Sequence, residues 1–336
     1  MMIASIPSPS FNSIDIGPLS INMYGLCIAL GVVAAIWLFG RRLEEREAGT
    51  RDDASAIGLW AVLAGVIGAR LYHVVTDWHR FEDDLGKIPA LWEGGLGIPG
   101  GLLFGIPVGI WVASRKGISV GMAATCAAPA IPLAQGIGRW GNYFNQELYG
   151  RPTDLPWALE IDAAHLLPDY AVGTTFHPTF LYESLWTLGL CVLLLWIDRR
   201  FRPALGQLMV MYLIGYGVGR FWIEGLRIDA ADELGGLRWN QWVALAAVVG
   251  GVVVLAVMRS RQVSPAPIPS ELRAAGTSDE GESEEDADPD DDPLHDDPAD
   301  DDPADEAPVA EAPADEDPVD EDPVGEDPVD DDSDAR

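Results

Sequence analysis

Seven stretches of this chain are long and apolar enough to require a membrane. They run roughly through residues 21–40, 54–76, 94–114, 119–137, 178–197, 205–224 and 240–258. A helix needs about 20 mostly apolar residues to cross the hydrocarbon core. The pattern predicts an all-α polytopic membrane protein with about seven transmembrane helices. The third and fourth stretches are rich in Gly and Pro, which spanning helices tolerate when neighbours satisfy the freed backbone groups and which allow close helix approach. The opening residues, MMIASIPSPSFNSIDIGPLS, carry no basic segment ahead of an apolar one. They do not resemble a cleaved signal peptide, so the first span is expected to stay in the protein.

The loops predict the orientation. Arg41, Arg42, Arg46 and Arg51 follow the first span, Arg115 and Lys116 the third, Arg199, Arg200 and Arg202 the fifth, and Arg259 and Arg261 the seventh. Cytoplasmic loops carry the excess of Lys and Arg, which places the N-terminus outside and the C-terminus in the cytoplasm. The net charge of −32 averages two different objects: residues 279–336 hold 30 of the 53 acidic residues and one basic residue, Arg336. The rest of the chain is nearly neutral and offers no basic footprint for nucleic acid. The expected organisation is a membrane catalytic domain over 1–262, a Pro/Ser linker over 263–278 and a disordered acidic cytoplasmic tail over 279–336. Repeats such as DEDPVD are too charged and too poor in apolar residues to bury a core, and anionic lipid would repel them.

Ionisable residues inside spans are costly and point to function. Here they are Arg70, Arg139, Glu183, Arg220 and Glu224, with Arg227 just beyond the sixth span. Arg220, Glu224 and Arg227 are spaced i, i+4, i+7 and share one helical face. An ion-pair ladder fastening helices together would explain them. So would a site for a phosphate-bearing lipid headgroup, because a guanidinium donates in parallel to two oxygens. The densest segment is Gly138–Arg151, GRWGNYFNQELYGR, where Arg139, Asn142, Asn145, Gln146 and Glu147 alternate with aromatic residues. That mixture suits a partly buried re-entrant or helical element at the membrane interface. Cys27, Cys126 and Cys191 each lie in apolar stretches and form no CxxC pair, so buried inert thiols are expected rather than disulfides or a metal site.

GRWGNYFNQELYGR resembles the signature of the prolipoprotein diacylglyceryl transferases, close to G-R-x-G-N-F-x-N-x-E-x-x-G. The segments NMYGLCIALG, GARLYHV, WEGGLGIPGGLLFG, HPTFLYES and IGYGVGRFWIEGLR resemble other parts of that family, covering about residues 15–260. The resemblance implies a bacterial plasma-membrane enzyme, of the kind found in high-GC Gram-positive species. Such an enzyme moves a diacylglyceryl group from phosphatidylglycerol to the lipobox cysteine of a prolipoprotein signal peptide, with no metal or cofactor. It further implies that Arg139 and Arg220 hold the lipid head, with Asn142, Asn145, Gly150, Arg227 and Arg70 in the binding site. Glu147 and Glu224 would orient the arginines or act as base, and Tyr24 would touch the headgroup or the thiol.

Many family members carry a His in the third-span segment, where this chain has Pro99. Proline cannot accept a proton. His73, near the end of the second span, is the substitute base the sequence offers, whereas His177 before Pro178 is read as opening the fifth span. A polytopic transporter with intramembrane charges is the rival reading, disfavoured by the lack of an evident internal repeat.

Overall fold

The computed structural model describes residues 5–17, 19–82, 84–91 and 94–261. The expected linker and acidic tail lie outside the described residues. Within them the chain folds into eight helices: α1 (Met23–Glu45), α2 (Arg51–Thr76), α3 (Ile98–Arg115), α4 (Val120–Ala127), α5 (Ala130–Phe144), α6 (Thr179–Phe201), α7 (Gln207–Glu224) and α8 (Trp239–Ser260). Caps fix two of their starts. The Asn22 side chain accepts the Tyr24 N–H at 2.8 Å ahead of α1, and Thr50 and Asp53 close a reciprocal capping box on α2. Such caps satisfy backbone donors that the first turn leaves without partners.

Each of the seven predicted apolar stretches is helical, but they are not seven equal spans. Helices α1, α2, α3, α6 and α8 have the length and composition to cross a membrane, and α4 with α5 forms a pair bent by 41° that together would make a sixth. Pro129 sits at that break; it has no N–H to donate and its ring crowds the preceding turn. Helix α7 has 18 residues, with Arg220 and Glu224 inside it, and is not among the helices apolar enough along their length to cross a membrane. Helices α2 and α3 approach closely where Gly68 meets Gly100: a Cβ on either residue would overlap the other's carbonyl. This is the close-contact role of Gly in membrane helix pairs.

The minor strands form three antiparallel hairpins. They are β1–β2 (Ser13–Ile16, Leu19–Asn22) before α1, β3–β4 (Leu159–Glu160, Thr175–Phe176) between α5 and α6, and β5–β6 (Glu233–Leu234, Leu237–Arg238) before α8. The segment between α5 and α6 builds a cap on a small core of Tyr149, Leu159, Ile161, Phe176 and Phe180. The N-terminal segment is woven into it: Ile6 donates to the Ala158 carbonyl and accepts from the Glu160 N–H, and Ser8 donates to Asp162 at 2.6 Å.

The two ends of the bundle differ in charge chemistry. At one end the basic clusters converge. Arg42, at the end of α1, donates to the Thr125 and Cys126 carbonyls and to Asp198 of α6 at 2.9 Å. Arg46 reaches the same carboxylate at 2.6 Å. The Thr125 hydroxyl accepts the Gly206 N–H ahead of α7, and Lys116 pairs with Asp53 across the α3 and α2 ends. Cys27, Cys126 and Cys191 are free and buried. At the opposite end lie the start of α1, the end of α5, the start of α6, the end of α7, the start of α8 and the cap.

Asp198 binds two guanidinium groups in a buried setting, so removing it strands both charges. Asp198→Ala should lower stability by about 3–5 kcal/mol, the usual cost of breaking a buried pair. Glu45→Ala, which removes the exposed Arg41–Glu45 pair, should cost less than about 1 kcal/mol. Thermal unfolding of both variants in detergent measures the difference; equal effects would show that the triad is not a fastening point.

Candidate active site

The segment Gly138–Arg151 is half helix and half turn. Residues 138–144 form the end of α5, and Asn145 is its C-cap. Gln146 and Leu148 then adopt left-handed backbone conformations, with φ of 51° and 59°. Side chains other than Gly rarely accept this without outside support. The support is visible. The Gln146 amide donates to Asp162 at 2.7 Å and accepts the Asp162 N–H at 2.8 Å. The Leu148 carbonyl accepts the Thr179 hydroxyl. Hydrogen bonds from Ser8 and Gln146 hold the Asp162 carboxyl below the usual carboxylate range. Beyond the turn, Gly150 donates to the His177 carbonyl and bridges Arg227. A Cβ on Gly150 would press on His177 Cβ and the Leu226 carbonyl, so only Gly lets this strand lie between α6 and α7.

This turn directs its polar groups into a chain of charges. Glu147 accepts from the Asn142 amide at 2.8 Å, and Asn142 accepts from Arg139 at 3.2 Å. Arg139 Nε pairs with Glu183 of α6 at 2.5 Å. The other Glu183 oxygen accepts from Arg220 of α7 at 3.3 Å, and Arg220 pairs with Glu224 at 2.8 Å. Glu224 also takes Arg227, Arg238 and the Asn240 amide at 3.2–3.4 Å. Arg227 and Arg238 close the chain on Asp229 at 2.7 and 3.0 Å. Burial alone would raise the Asp229 carboxyl, but the two guanidinium groups outweigh it and hold it below its ordinary value. Tyr24 packs on Gly141, within electrostatic reach of Glu147 and Arg139.

Exposure divides this network into a front and a back. The side chains of Arg139 and Arg220 are 23% and 16% exposed, whereas Arg227 and Arg238 are at 7% and Glu224 is fully buried. Glu147 is exposed. Both Glu224 oxygens are already taken by four donors and both Glu183 oxygens by guanidinium groups. The front therefore offers two guanidinium groups with open donors and one carboxylate with a single amide partner.

The sequence expectations separate accordingly. Arg139, Asn142, Glu147, Arg220, Glu224 and Arg227 are brought into one network, with Tyr24 and Gly150 against it. Asn145 is half-buried at the helix end, without a side-chain bond to the network. Arg70 is not brought there: its guanidinium donates to the carbonyls of Lys87, Ile88, Gly94 and Gly95 and stacks over Phe81, so it orders the loop between α2 and α3. His73 belongs to the same loop cluster. It bonds Asp77 at 2.9 Å and lies against Gly95, and it does not join the Arg139 network. Pro99 sits in the first turn of α3. His177 hydrogen-bonds the Tyr182 hydroxyl at 3.1 Å, and burial followed by Arg151 lowers its pKa, favouring the neutral ring.

Sequence reading named Glu183 among the intramembrane charges without assigning it a specific role, and passed over Arg238, Asp229 and Asn240. Glu183 is the joint between the two front arginines. Arg238 had one readable signal, its place just before the last apolar span. Among the described residues no three of His, Cys, Asp and Glu gather as a metal site would require.

Comparison with known proteins identifies the family of the chain. Residues 12–257 match the family described as prolipoprotein diacylglyceryl transferase. Similar proteins carry the name phosphatidylglycerol–prolipoprotein diacylglyceryl transferase. That of Frankia alni is 48% identical over 282 residues, spanning 82% of this chain and 73% of the relative. That of Streptomyces griseus is 46% identical over 261 residues, or 76% and 78% of the two chains. That of Cutibacterium acnes is 47% identical over 262 residues, or 76% and 88%. The match runs from before α1 to within three residues of the end of α8 and includes every member of the charge network, and the chain belongs to the prolipoprotein diacylglyceryl transferase family.

Proposed function

We propose that this chain transfers the diacylglyceryl group of phosphatidylglycerol to the lipobox cysteine thiol of a prolipoprotein at the outer face of a bacterial plasma membrane. One arrangement carries the reading: Arg139 and Arg220, joined through Glu183, present open guanidinium donors beside the exposed Glu147. The relatives' names supply the lipid donor and the protein acceptor. The positive-inside rule supports the leaflet, since the basic clusters occupy the opposite end of the bundle. The transporter alternative has family membership against it.

The chemistry then follows from the front of the network. The lipid phosphate lies across Arg139 and Arg220, with Asn142 alongside. The cysteine sulfur attacks the diacylglycerol carbon that bears the phosphate ester. A carbon–sulfur bond forms, the carbon–oxygen bond breaks, and glycerol phosphate leaves with the electron pair. Developing charge on the leaving phosphate meets preorganised guanidinium groups in a water-poor site, where such stabilisation is strongest. A thiol must lose its proton to be an effective nucleophile. Glu147 is the proton acceptor in this scheme, because Glu183 and Glu224 have no open oxygens and His73 belongs to another cluster. Arg227, Arg238 and Asn240 hold Glu224, Asp229 steadies the two arginines, and Glu224 holds Arg220.

Purified protein with phosphatidylglycerol and a lipobox peptide should give a diacylglyceryl adduct on the cysteine, read by mass spectrometry. Arg139→Ala should reduce adduct formation by about 10²–10³-fold, the cost of removing one transition-state donor, while the thermal transition persists; full activity would remove Arg139 from the mechanism. Glu147→Gln should lower kcat by about 10²-fold or more, as loss of a general base does, with a smaller change in KM for the lipid. His73→Gln should leave the rate within a few-fold of wild type, and the reverse pattern would move the base to His73. Deleting residues 275–336 should leave turnover largely intact; its loss would refute the proposal that the acidic segment takes no part in transfer.

A further inference from the structure

Glu147, the group given the thiol proton in the scheme above, stands between two strained residues. Gln146 and Leu148 have φ of 51° and 59°. A residue other than Gly stays in this region only where its surroundings over-determine it. On the Leu148 side the hold comes from α6, through the Thr179 hydroxyl on the Leu148 carbonyl and the His177 carbonyl on Gly150. On the Gln146 side it comes from a surface residue, Asp162. Gln146 is only 5% exposed, and Asp162 takes both ends of its amide. The carboxylate accepts the amide N–H at 2.7 Å, and the Asp162 backbone N–H donates to the amide oxygen at 2.8 Å.

Asp162 is braced in turn by the N-terminal segment. Ser8 donates to its other carboxylate oxygen at 2.6 Å. The adjacent Pro7 carbonyl accepts the Tyr143 hydroxyl at 3.0 Å, and Ile6 exchanges backbone hydrogen bonds with Ala158 and Glu160. The segment thus grips the end of α5 on one side and Asp162 on the other.

The conformation of Gln146 decides where Glu147 goes. The left-handed step folds the chain back over the last turn of α5, so that the Glu147 N–H meets the Asn142 carbonyl at 3.1 Å and its carboxylate meets the Asn142 amide at 2.8 Å. Extended backbone at Gln146 would carry Glu147 away from Asn142, and so from Arg139. We infer that Asp162, braced by Ser8, is a positioning residue for the transfer reaction: it locks Gln146 in the left-handed conformation and thereby fixes the Glu147 carboxylate beside Asn142 and Arg139. The inference rests on the role proposed above for Glu147. Asp162 acts through backbone direction, and its hydrogen bonds run to Gln146 and Ser8 rather than to the charge network.

The test uses the full-length protein in nanodiscs containing phosphatidylglycerol, with a lipobox peptide and adduct formation read by mass spectrometry. Asp162→Ala should lower kcat by about ten-fold or more, since a misplacement of about 1 Å can cost up to about 10²-fold. KM for the lipid should stay within about two-fold, as expected when ground-state binding is untouched, and the thermal transition should persist. Ser8→Ala should cost about two-fold, the worth of one modest hydrogen bond, and Ser8→Thr should restore it. The deciding variant adds Gln146→Gly to Asp162→Ala. Glycine takes positive φ without support, so kcat should recover to within about three-fold of wild type. A role confined to stability predicts the opposite, because removing the buried Gln146 side chain would add to the damage.

Amide hydrogen exchange over residues 145–150 reads the clamp without any substrate, and Asp162→Ala should speed it. Unchanged kcat in Asp162→Ala, unchanged exchange, or no recovery with Gln146→Gly would each overturn the inference while wild type still transfers. Absence of adduct from wild type is a separate failure. It would overturn the transfer reading and the positioning role with it, and faster exchange in Asp162→Ala would then mark a clamp that serves the fold alone.

Discussion

Two buried carboxylates hold the functional end of this protein together. Glu224 is fully enclosed at the end of an otherwise apolar helix, a position where an isolated charge would be driven to neutralise. It persists because guanidinium groups arrive from three places: Arg220 on its own helix, Arg227 just after it, and Arg238 just before α8. Glu183 does the same between α5 and α7 through Arg139 and Arg220. Four helix ends are thereby fixed by two side chains. The low-dielectric surroundings that make such charges costly also make their mutual geometry stiff. Stiffness is what phosphate recognition needs, since donors already in place do not reorganise when charge develops on the leaving group.

The cap extends this order to the one segment that departs from regular structure. Gln146 and Leu148 hold left-handed conformations because Asp162, Thr179 and the backbone of His177 grip the turn from outside. The N-terminal segment in turn grips Asp162 through Ser8. The exposed carboxylate of Glu147 is thus positioned by residues more than 100 positions away in sequence. At the other end of the bundle, Arg42, Arg46 and Asp198 fasten α1 to α6. Part of the basic cluster that signals orientation is therefore also a structural joint.

Much of the membrane architecture was legible from apolar length alone, and the places where the helices differ from simple straight spans have physical causes. The fourth stretch looked continuous because hydropathy does not register the break that Pro129 imposes. The sixth was read as a span with Arg220 and Glu224 already recognised inside it, and those two charges set α7 apart from the five apolar helices. In the site, Arg220, Glu224 and Arg227 could be placed together, since i, i+4, i+7 spacing is a local property of a helix. Arg70 could not be separated from them, because a guanidinium that binds four loop carbonyls and one that faces a ligand are identical in sequence. Arg238 was missed for a related reason: its partner Glu224 is close in space only after α7 and α8 pack together.

By itself, then, the sequence determined that the chain is a bundle of membrane helices, that its basic clusters mark one end, and that its polar residues concentrate around Gly138–Arg151. Those are consequences of local composition and of transfer into lipid, which act residue by residue. Tertiary structure alone decided which charges meet, which arginines stay open to the front, and which carboxylate retains an unoccupied oxygen. Those properties depend on distances between helices, and in a membrane interior an ionised group is tolerated only where another segment supplies its partner.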